Sequence, residues 1–147
     1  MTQYTLRTAT IDDSIQIASL LTSLGHDTSN DQVRSNWHDF TASGNLAYVA
    51  ATLSDHLVGV ITIHRMTVLH RPKPVGRVTA LIVDEQFRNR GIGRELLRTA
   101  ETELARCGCG LIEITSNFRL TEAHSFYEQQ GYSQTSVRLV KSLPDAS

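Results

Sequence analysis

The sequence predicts an α+β fold of three layers, in which helices cover both faces of a mixed, mostly antiparallel sheet of about six to seven strands. Runs rich in β-branched and apolar residues alternate with amphipathic runs in the order β-α-α-β-β-β-α-β-α-β. The stretch 78–116 has the pattern strand, helix, strand, and a helix that joins two strands of one sheet makes them parallel. A chain of 147 residues is long enough for one sizeable core, so we expect residues 1–147 to form a single domain.

The first part of the chain predicts one strand and two helices. Residues 5–10 (TLRTAT) form a short β-rich run, and Thr10 and Asp13 have the spacing of a capping box at a helix start. Gly25 ends this helix. The apolar residues expected on the buried faces are Ile11, Ile15, Ala18, Leu21 and Leu24 in this helix and Val33, Trp37 and Phe40 in a second, weaker one.

The middle of the chain predicts a hairpin, a loop and a fourth strand. Two β-rich runs, 46–53 and 57–64, are separated by the turn residues 54–56. The two prolines of RPKP, residues 71–74, exclude both a helix and a paired strand. The run 78–84 (VTALIVD) is almost wholly apolar, so we expect a strand that is buried on both faces.

The last part predicts a helix, a strand, a second helix and a closing strand. In the helix 91–106 an apolar residue recurs at every fourth position, which gives one apolar face. The fifth strand is predicted at 110–116, a helix at 121–130 that ends at Gly131, and a closing strand at 137–143.

The composition argues against several classes of protein. The formal net charge is −1, so no overall field attracts nucleic acid or an anionic membrane. No apolar run approaches the roughly 20 residues that span a bilayer, and the N-terminus lacks the apolar stretch of a secretory signal. Cys107 and Cys109 lie one residue apart, which suits neither a disulfide nor a zinc site. We expect a cytoplasmic protein with reduced thiols and no bound metal.

The stretch RNRGIGRELL, residues 88–97, combines glycines and arginines at the start of a helix. The first N–H groups of a helix have no partner within it, and the helix dipole adds partial positive charge there. Glycine lets an anion approach the main chain, and arginine forks onto phosphate oxygens. The pattern predicts a pyrophosphate site, with a solvated basic loop as the alternative. The residues of this site are Arg88, Asn89, Arg90, Gly91, Ile92, Gly93 and Arg94.

Two better-known phosphate loops do not fit this stretch. A P-loop ends in Gly-Lys-Ser/Thr, whereas this chain has Gly-Arg-Glu. A dinucleotide fingerprint needs a third glycine where this chain has Leu96.

The order VDEQF, RNRGIG, ELL resembles the signature of the GNAT superfamily of acetyl-CoA-dependent N-acetyltransferases. Their pattern Arg/Gln-x-x-Gly-x-Gly/Ala is matched by Arg88, Gly91 and Gly93. A later strand and a helix with F-Y-E-x-x-G-F/Y complete the signature, matched here by LIEITSN and AHSFYEQQGY. The resemblance covers nearly the whole chain. Together with GVITIHRMTVLH and a short basic C-terminal strand, these segments are most similar to the aminoalkylphosphonate acetyltransferase subgroup.

The resemblance implies a binding mode for the cosubstrate acetyl-CoA. The fourth and fifth strands would splay apart, and the main chain of Leu81, Ile82 and Val83 would pair with the pantetheine arm. A main-chain N–H near Leu81 or Ile82 would stabilise the oxyanion of the tetrahedral intermediate. Asn117 would also contact the cofactor. The chain departs from the family at this point, since most members carry the asparagine where it has Leu120.

The resemblance also implies catalytic roles. Tyr127 occupies the position of the general acid that protonates the departing thiolate, with a core aromatic as the alternative. The acceptor amine must lose a proton before it attacks, and Glu113 is a candidate base within the fifth strand. Alternatively, Glu113 points to solvent or pairs with an arginine. His64 and His124 are rival bases.

The acceptor itself is indicated by charge. The stretch from His56 to Val83 contains no acidic residue, and its cations, Arg65, Arg71, Lys73 and Arg77, favour a small amine that carries an anion, as in the aminoalkylphosphonate subgroup. Acidic residues in the first two helices favour an aminoglycoside or a polyamine instead. Acetylation of protein amines and a non-catalytic acetyl-CoA sensor remain alternatives. Homodimers are common in the superfamily, so a homodimer is compatible with the resemblance.

Overall fold

A computed structural model describes residues 3–115 and 121–145 of the chain. By its internal contacts the chain divides into two compact units, 1–114 and 115–147. The elements are β1 (Tyr4–Thr8), α1 (Ser14–Ser23), α2 (Asn30–Ala42), β2 (Asn45–Thr52), β3 (Leu57–Met66), β4 (Val75–Val83), α3 (Ile92–Arg106), β5 (Leu111–Ile114) and α4 (Thr121–Gln129). Short 3-10 turns precede α1 and α3, at Ile11–Asp13 and Glu85–Phe87. Of the helices described, none is long and apolar enough to cross a membrane.

The first unit contains a mixed sheet with the strand order β1-β2-β3-β4-β5. The pairs β1–β2, β2–β3 and β3–β4 are antiparallel. The pair β4–β5 is parallel, as the strand-helix-strand pattern predicts. The mixed α+β class is therefore confirmed. The prediction of six to seven strands is too high, because the described residues form five.

The prediction of a closing strand at 137–143 is wrong. Residues 133–145 have no regular secondary structure, and their large apolar side chains, Val137, Leu139, Val140 and Leu143, are exposed. Alternating apolar residues give a segment the propensity for a strand but do not supply the neighbour whose hydrogen bonds make it one. Within the described ranges, no strand pairs with this segment.

Helices cover both faces of the sheet. On one face, α1 and α2 pack over a core that includes Val49, Val60 and Ile82. On the other face lies α3, so closely that a Cβ on Gly59 would come within 3.0 Å of Leu96. This three-layer arrangement is the predicted one.

The buried face of α1 differs from the predicted one. Ile15 is 67% exposed, whereas Ile17, Ala18 and Leu20 are buried. The phase shifts because Asp13 turns inwards: its carboxylate accepts two 2.8 Å hydrogen bonds from Arg7 and one of 2.9 Å from the main-chain N–H of Thr10. Residues 11–13 consequently form a 3-10 turn rather than the first turn of the α-helix.

Strand β4 is longer than predicted and carries a bulge. It begins at Val75 rather than at residue 78, directly after the proline loop. Thr62 pairs with Ala80 and Ile63 pairs with Val78, so Thr79 is an extra residue without a partner on β3. The side chain of Thr79 is exposed, and the expectation of a strand buried on both faces is wrong at this position. Strand β5 is shorter than the predicted 110–116, because its ladder to β4 covers only Leu111–Ile114.

The second unit contains α4. The helix ends as the sequence predicts: Gly131 adopts a left-handed conformation, φ 94°, and its N–H donates to the carbonyl of Glu128. The N–H of Tyr132 donates to the carbonyl of Tyr127, which satisfies a second free carbonyl of the last turn.

Candidate active site

The opening of α3 exposes main-chain donors. Gly91 is the residue before the first helical position and has φ 82°, and the first bond of the helix runs from the N–H of Glu95 to the carbonyl of Gly91 at 3.0 Å. The N–H groups of residues 92–94 come before this bond and have no carbonyl within the helix to donate to. Asn89 is also left-handed, φ 62°, so the chain coils tightly just before the helix.

Three arginines surround this opening, and all three are exposed: Arg88, Arg90 and Arg94. The guanidinium of Arg90 stacks over the ring of Phe87 at 5.0 Å, which orients it while leaving its N–H groups free to bind an anion. Arg88 is near the end of β4, with its Nε 3.4 Å from the carbonyl of Val83. The predicted basic residues thus lie together at one helix start.

The acidic residue of this first turn interacts elsewhere. Burial and a hydrogen bond to Glu95 raise the pKa of Tyr4 on β1. Residues 88–95 carry three arginines against this one glutamate, so the opening of α3 has an excess of positive charge.

Strands β4 and β5 part at the bulge. Their parallel ladder covers Val75–Val78 of β4 and ends at the pair Val78–Ile114. Beyond this point β4 pairs only with β3, through Ala80–Val83, so its main chain on the β5 side has no strand partner among the described residues. The predicted pantetheine residues, Leu81, Ile82 and Val83, lie in this open stretch. It leads directly to the turn before α3, and an extended ligand can pair with such an edge.

A row of polar side chains crosses the sheet just before the bulge. Asn45, His64, Arg77 and Glu113 are register partners on β2, β3, β4 and β5, so they share the sheet face on which α1 and α2 pack. The hydroxyls of Thr62 and Thr79, 2.6 Å apart, continue this polar surface on the same side of the sheet. The row brings together two of the predicted base candidates, His64 and Glu113.

Glu113 forms an ion pair with Arg77. Nη2 and Nε of Arg77 both donate to Oε1 of Glu113, at 2.7 and 3.2 Å. The alternative interpretation of Glu113, in which it pairs with an arginine, therefore describes its contacts. Nδ1 of His64 is buried and has no hydrogen-bond partner within the described part of the chain.

The remaining predicted residues belong to the second unit or lie outside the described ranges. Tyr127 is half-buried on α4, with its ring edge-on to Phe126 at 5.3 Å and to Tyr132 at 6.1 Å. Burial raises the pKa of Tyr127 above its ordinary value. His124 is also half-buried on α4. Asn117 lies outside the described residues.

Two features of this surface are absent from the sequence prediction. Arg77 is expected only as one of the cations that favour an anionic acceptor, yet it is also the ion-pair partner of Glu113. The bulge at Thr79, which marks the point where β4 leaves β5, has no signature in an apolar run. The register of β4 with β5 reveals the pairing of Arg77 with Glu113, and the register of β4 with β3 reveals the bulge.

Comparison with known proteins supports this geometry. The model of the Acetyltransferase (GNAT) family matches residues 15–132. An aminoalkylphosphonate N-acetyltransferase from Salmonella typhimurium is 31% identical over 139 residues, which are 94% of this chain and 90% of that protein.

Solved structures have the same fold. A Trypanosoma brucei acetyltransferase superposes with a TM-score of 0.85 at 19% identity, over 96% of this chain and 100% of the other. An aminoglycoside N-acetyltransferase solved in complex with CoA gives a TM-score of 0.84 at 14% identity, over 97% of this chain and 96% of the other. The chain belongs to the GNAT family and is an N-acetyltransferase that uses acetyl-CoA as its cosubstrate.

Proposed function

We propose that this protein acts as a single GNAT domain in the cytoplasm and acetylates the primary amine of a small molecule that carries an anion, such as an aminoalkylphosphonate. The observation that carries the proposal is the open edge of β4 leading to the basic opening of α3. An extended arm fits the edge, and a diphosphate fits the exposed amides and arginines. The anionic acceptor is supported by the Salmonella relative, an aminoalkylphosphonate N-acetyltransferase, and by the exposed Arg71 and Lys73 in the loop before β4.

In this proposal acetyl-CoA supplies the acetyl group and a thiolate leaving group. The main chain of Leu81, Ile82 and Val83 holds the pantetheine arm, and residues 88–94 hold the diphosphate. A main-chain N–H of this stretch stabilises the oxyanion, a contribution that is often several kcal/mol in acyl transfer. Asn117 is proposed as a further contact on the resemblance alone.

Proton transfer needs an acid and a base. The amine nitrogen attacks the acetyl carbonyl carbon, the C–S bond breaks, and the sulfur takes the proton of the Tyr127 hydroxyl. A phenol, whose ordinary pKa is about 10, is protonated at neutral pH, so Tyr127 has a proton to give when the thiolate leaves. Glu113 is the proposed acceptor of the proton that the amine loses. Its Oε2 has no hydrogen-bond partner in the described chain, whereas Oε1 is held by Arg77.

Release of free thiol from acetyl-CoA over a panel of amines tests the proposal. The panel contains aminoalkylphosphonates, aminoglycosides and polyamines, and the variants are Tyr127→Phe and, as a matched control on the same unit, Tyr132→Phe. We expect Tyr127→Phe to lower kcat by about a hundredfold or more, the usual worth of a general acid, and Tyr132→Phe to leave it nearly unchanged.

Three outcomes would contradict parts of the proposal. Equal turnover in Tyr127→Phe and the unmodified protein removes the acid role. Turnover only with polyamines or aminoglycosides removes the anionic acceptor. Binding of acetyl-CoA without turnover of any amine identifies a sensor.

We also propose that the protein is a homodimer. The four exposed apolar side chains within residues 137–143 support this, because contiguous exposed apolar residues are typical of protein interfaces. Sedimentation of the purified chain at the mass of a monomer would contradict it.

A further inference from the structure

The ion pair between Arg77 and Glu113 occupies a distinctive position. It lies one residue pair before the end of the β4–β5 ladder, next to the open edge of β4 along which the proposed function places the pantetheine arm. Both side chains are on β strands of the first unit, so the rigid sheet fixes the separation of their main-chain atoms. The inference drawn here rests on that proposed function and concerns how the acceptor is recognised.

The pair is incomplete and accessible. Both N–H groups that Arg77 uses donate to a single oxygen, Oε1 of Glu113. Within the described residues, Nη1 of Arg77 and Oε2 of Glu113 have no hydrogen-bond partner. The side chains are 43% and 44% exposed, so a ligand can reach both charges, and ion pairs so exposed are weak enough to exchange partners readily.

We propose that this pair is a template for a zwitterion. The acidic group of the acceptor binds the guanidinium of Arg77, and the ammonium group of the same molecule binds the carboxylate of Glu113. Each charge of the pair then keeps a partner of opposite charge. The guanidinium of Arg77 can donate two parallel hydrogen bonds to a phosphonate or carboxylate, which the ammonium of a lysine cannot.

The template predicts which amines are accepted. The two charges of the pair are in direct contact, so the amine and the acidic group of a matching acceptor are separated by only one or two carbon atoms. A polyamine places a second cation against Arg77, and an amino alcohol, which has no acidic group, leaves Arg77 without a new partner. The polar row around the pair, with His64 on one side and the hydroxyls of Thr62 and Thr79 beyond it, offers no acid that replaces Glu113.

The experiment compares specificity constants for acceptors of matched size and different charge. The acceptors are aminomethylphosphonate, β-alanine, ethanolamine and putrescine. The variants are Arg77→Gln, Arg77→Lys and Glu113→Gln, and the control is Arg98→Gln, which removes the same charge from an exposed position on α3. Calorimetry with CoA checks that each variant still folds and binds the cosubstrate.

We expect Arg77→Gln to raise KM for the two zwitterions by about tenfold, or about 1.4 kcal/mol, and to leave the values for ethanolamine unchanged. Arg77→Lys restores part of the loss, because it keeps the charge but not the fork. Glu113→Gln weakens all ammonium acceptors, and Arg98→Gln changes none of them.

Two results would overturn the template while leaving the acetyltransferase intact. The first is a loss in Arg77→Gln that is equal for all four acceptors, which indicates a structural role. The second is an unmodified protein that acetylates ethanolamine as well as the zwitterions. A protein that binds CoA but acetylates no amine contradicts the proposed function itself, and that outcome is recognised before any variant is made.

Discussion

Replacing Gly91 by alanine tests the local structure at the start of α3. Gly91 has φ 82° and ψ 4°, a left-handed conformation that disfavours alanine by roughly 1–2 kcal/mol. A Cβ built at this position meets nothing closer than Nη2 of Arg94, at 3.8 Å, so packing adds no further loss. The predicted cost is therefore conformational alone.

The size of the effect follows from this geometry. A loss of about 1 kcal/mol in a domain of this length lowers the melting temperature by about 3 °C. Asparagine adopts the left-handed region more easily than alanine, as Asn89 does in the same turn, so Gly91→Asn should lose less stability than Gly91→Ala. Thermal unfolding followed by circular dichroism measures both variants against the unmodified protein.

The same two variants separate the effect of Gly91 on backbone strain from its effect on the access of an anion to the main chain. Both add a Cβ at the helix opening, beside Arg94, and only alanine adds appreciable backbone strain. If an anion approaches the main chain here, both variants should bind CoA more weakly in calorimetry, in spite of their different stabilities. Full CoA affinity in both variants would contradict the approach of an anion to the main chain at Gly91. Equal melting temperatures for the unmodified protein and Gly91→Ala would contradict the cost of the left-handed conformation.

Two further predictions concern packing and charge in the first unit. In Gly76→Ala the new Cβ would lie 2.7 Å from Cδ1 of Leu104, which is 2% exposed, so we expect a loss of about 1–3 kcal/mol in urea unfolding. Gly76→Ala combined with Leu104→Val should cost less than the sum of the single changes, and strict additivity would contradict the clash. Asp13→Asn should lower stability at neutral pH by about 1.5–3 kcal/mol, because the hydrogen-bonded ion pair with Arg7 holds the pKa of Asp13 below its usual range in spite of burial. A depressed pKa stabilises the folded state above the unfolded pKa of about 4 and less as the pH falls below it, so a difference between the two proteins that is constant from pH 7 to pH 3 would argue against this origin.

The sequence predicts well those features that depend on residues close together along the chain. Gly25 and Gly131 are recognisable as helix ends because glycine suits the left-handed position that follows a helix, and both adopt it. The amphipathic repeat of α3 identifies its buried side chains, from Ile92 to Leu104, and the helix between β4 and β5 makes those strands parallel. The cluster of arginines at the helix start follows from chain proximity alone.

Features that depend on register or on a partner escape the sequence. The contact between Arg77 and Glu113 joins residues on two strands, and no spacing along the chain fixes how parallel strands align. The phase of α1 depends on Asp13, whose burial is decided by Arg7 on another element. The segment 137–143 has the pattern of a strand, but a strand also requires a neighbouring chain to bond with.

A crystal structure of the chain grown with CoA tests the central claim most directly, namely that the opening of α3 binds the diphosphate of the cosubstrate. We expect phosphate oxygens within hydrogen-bond distance of the main-chain N–H groups of residues 92–94 and of the guanidinium of Arg88 or Arg90. This binding mode also places the pantetheine arm along Thr79–Val83. Phosphates bound at another surface, for example on Arg71 and Lys73, with the opening of α3 filled only by water, would contradict it.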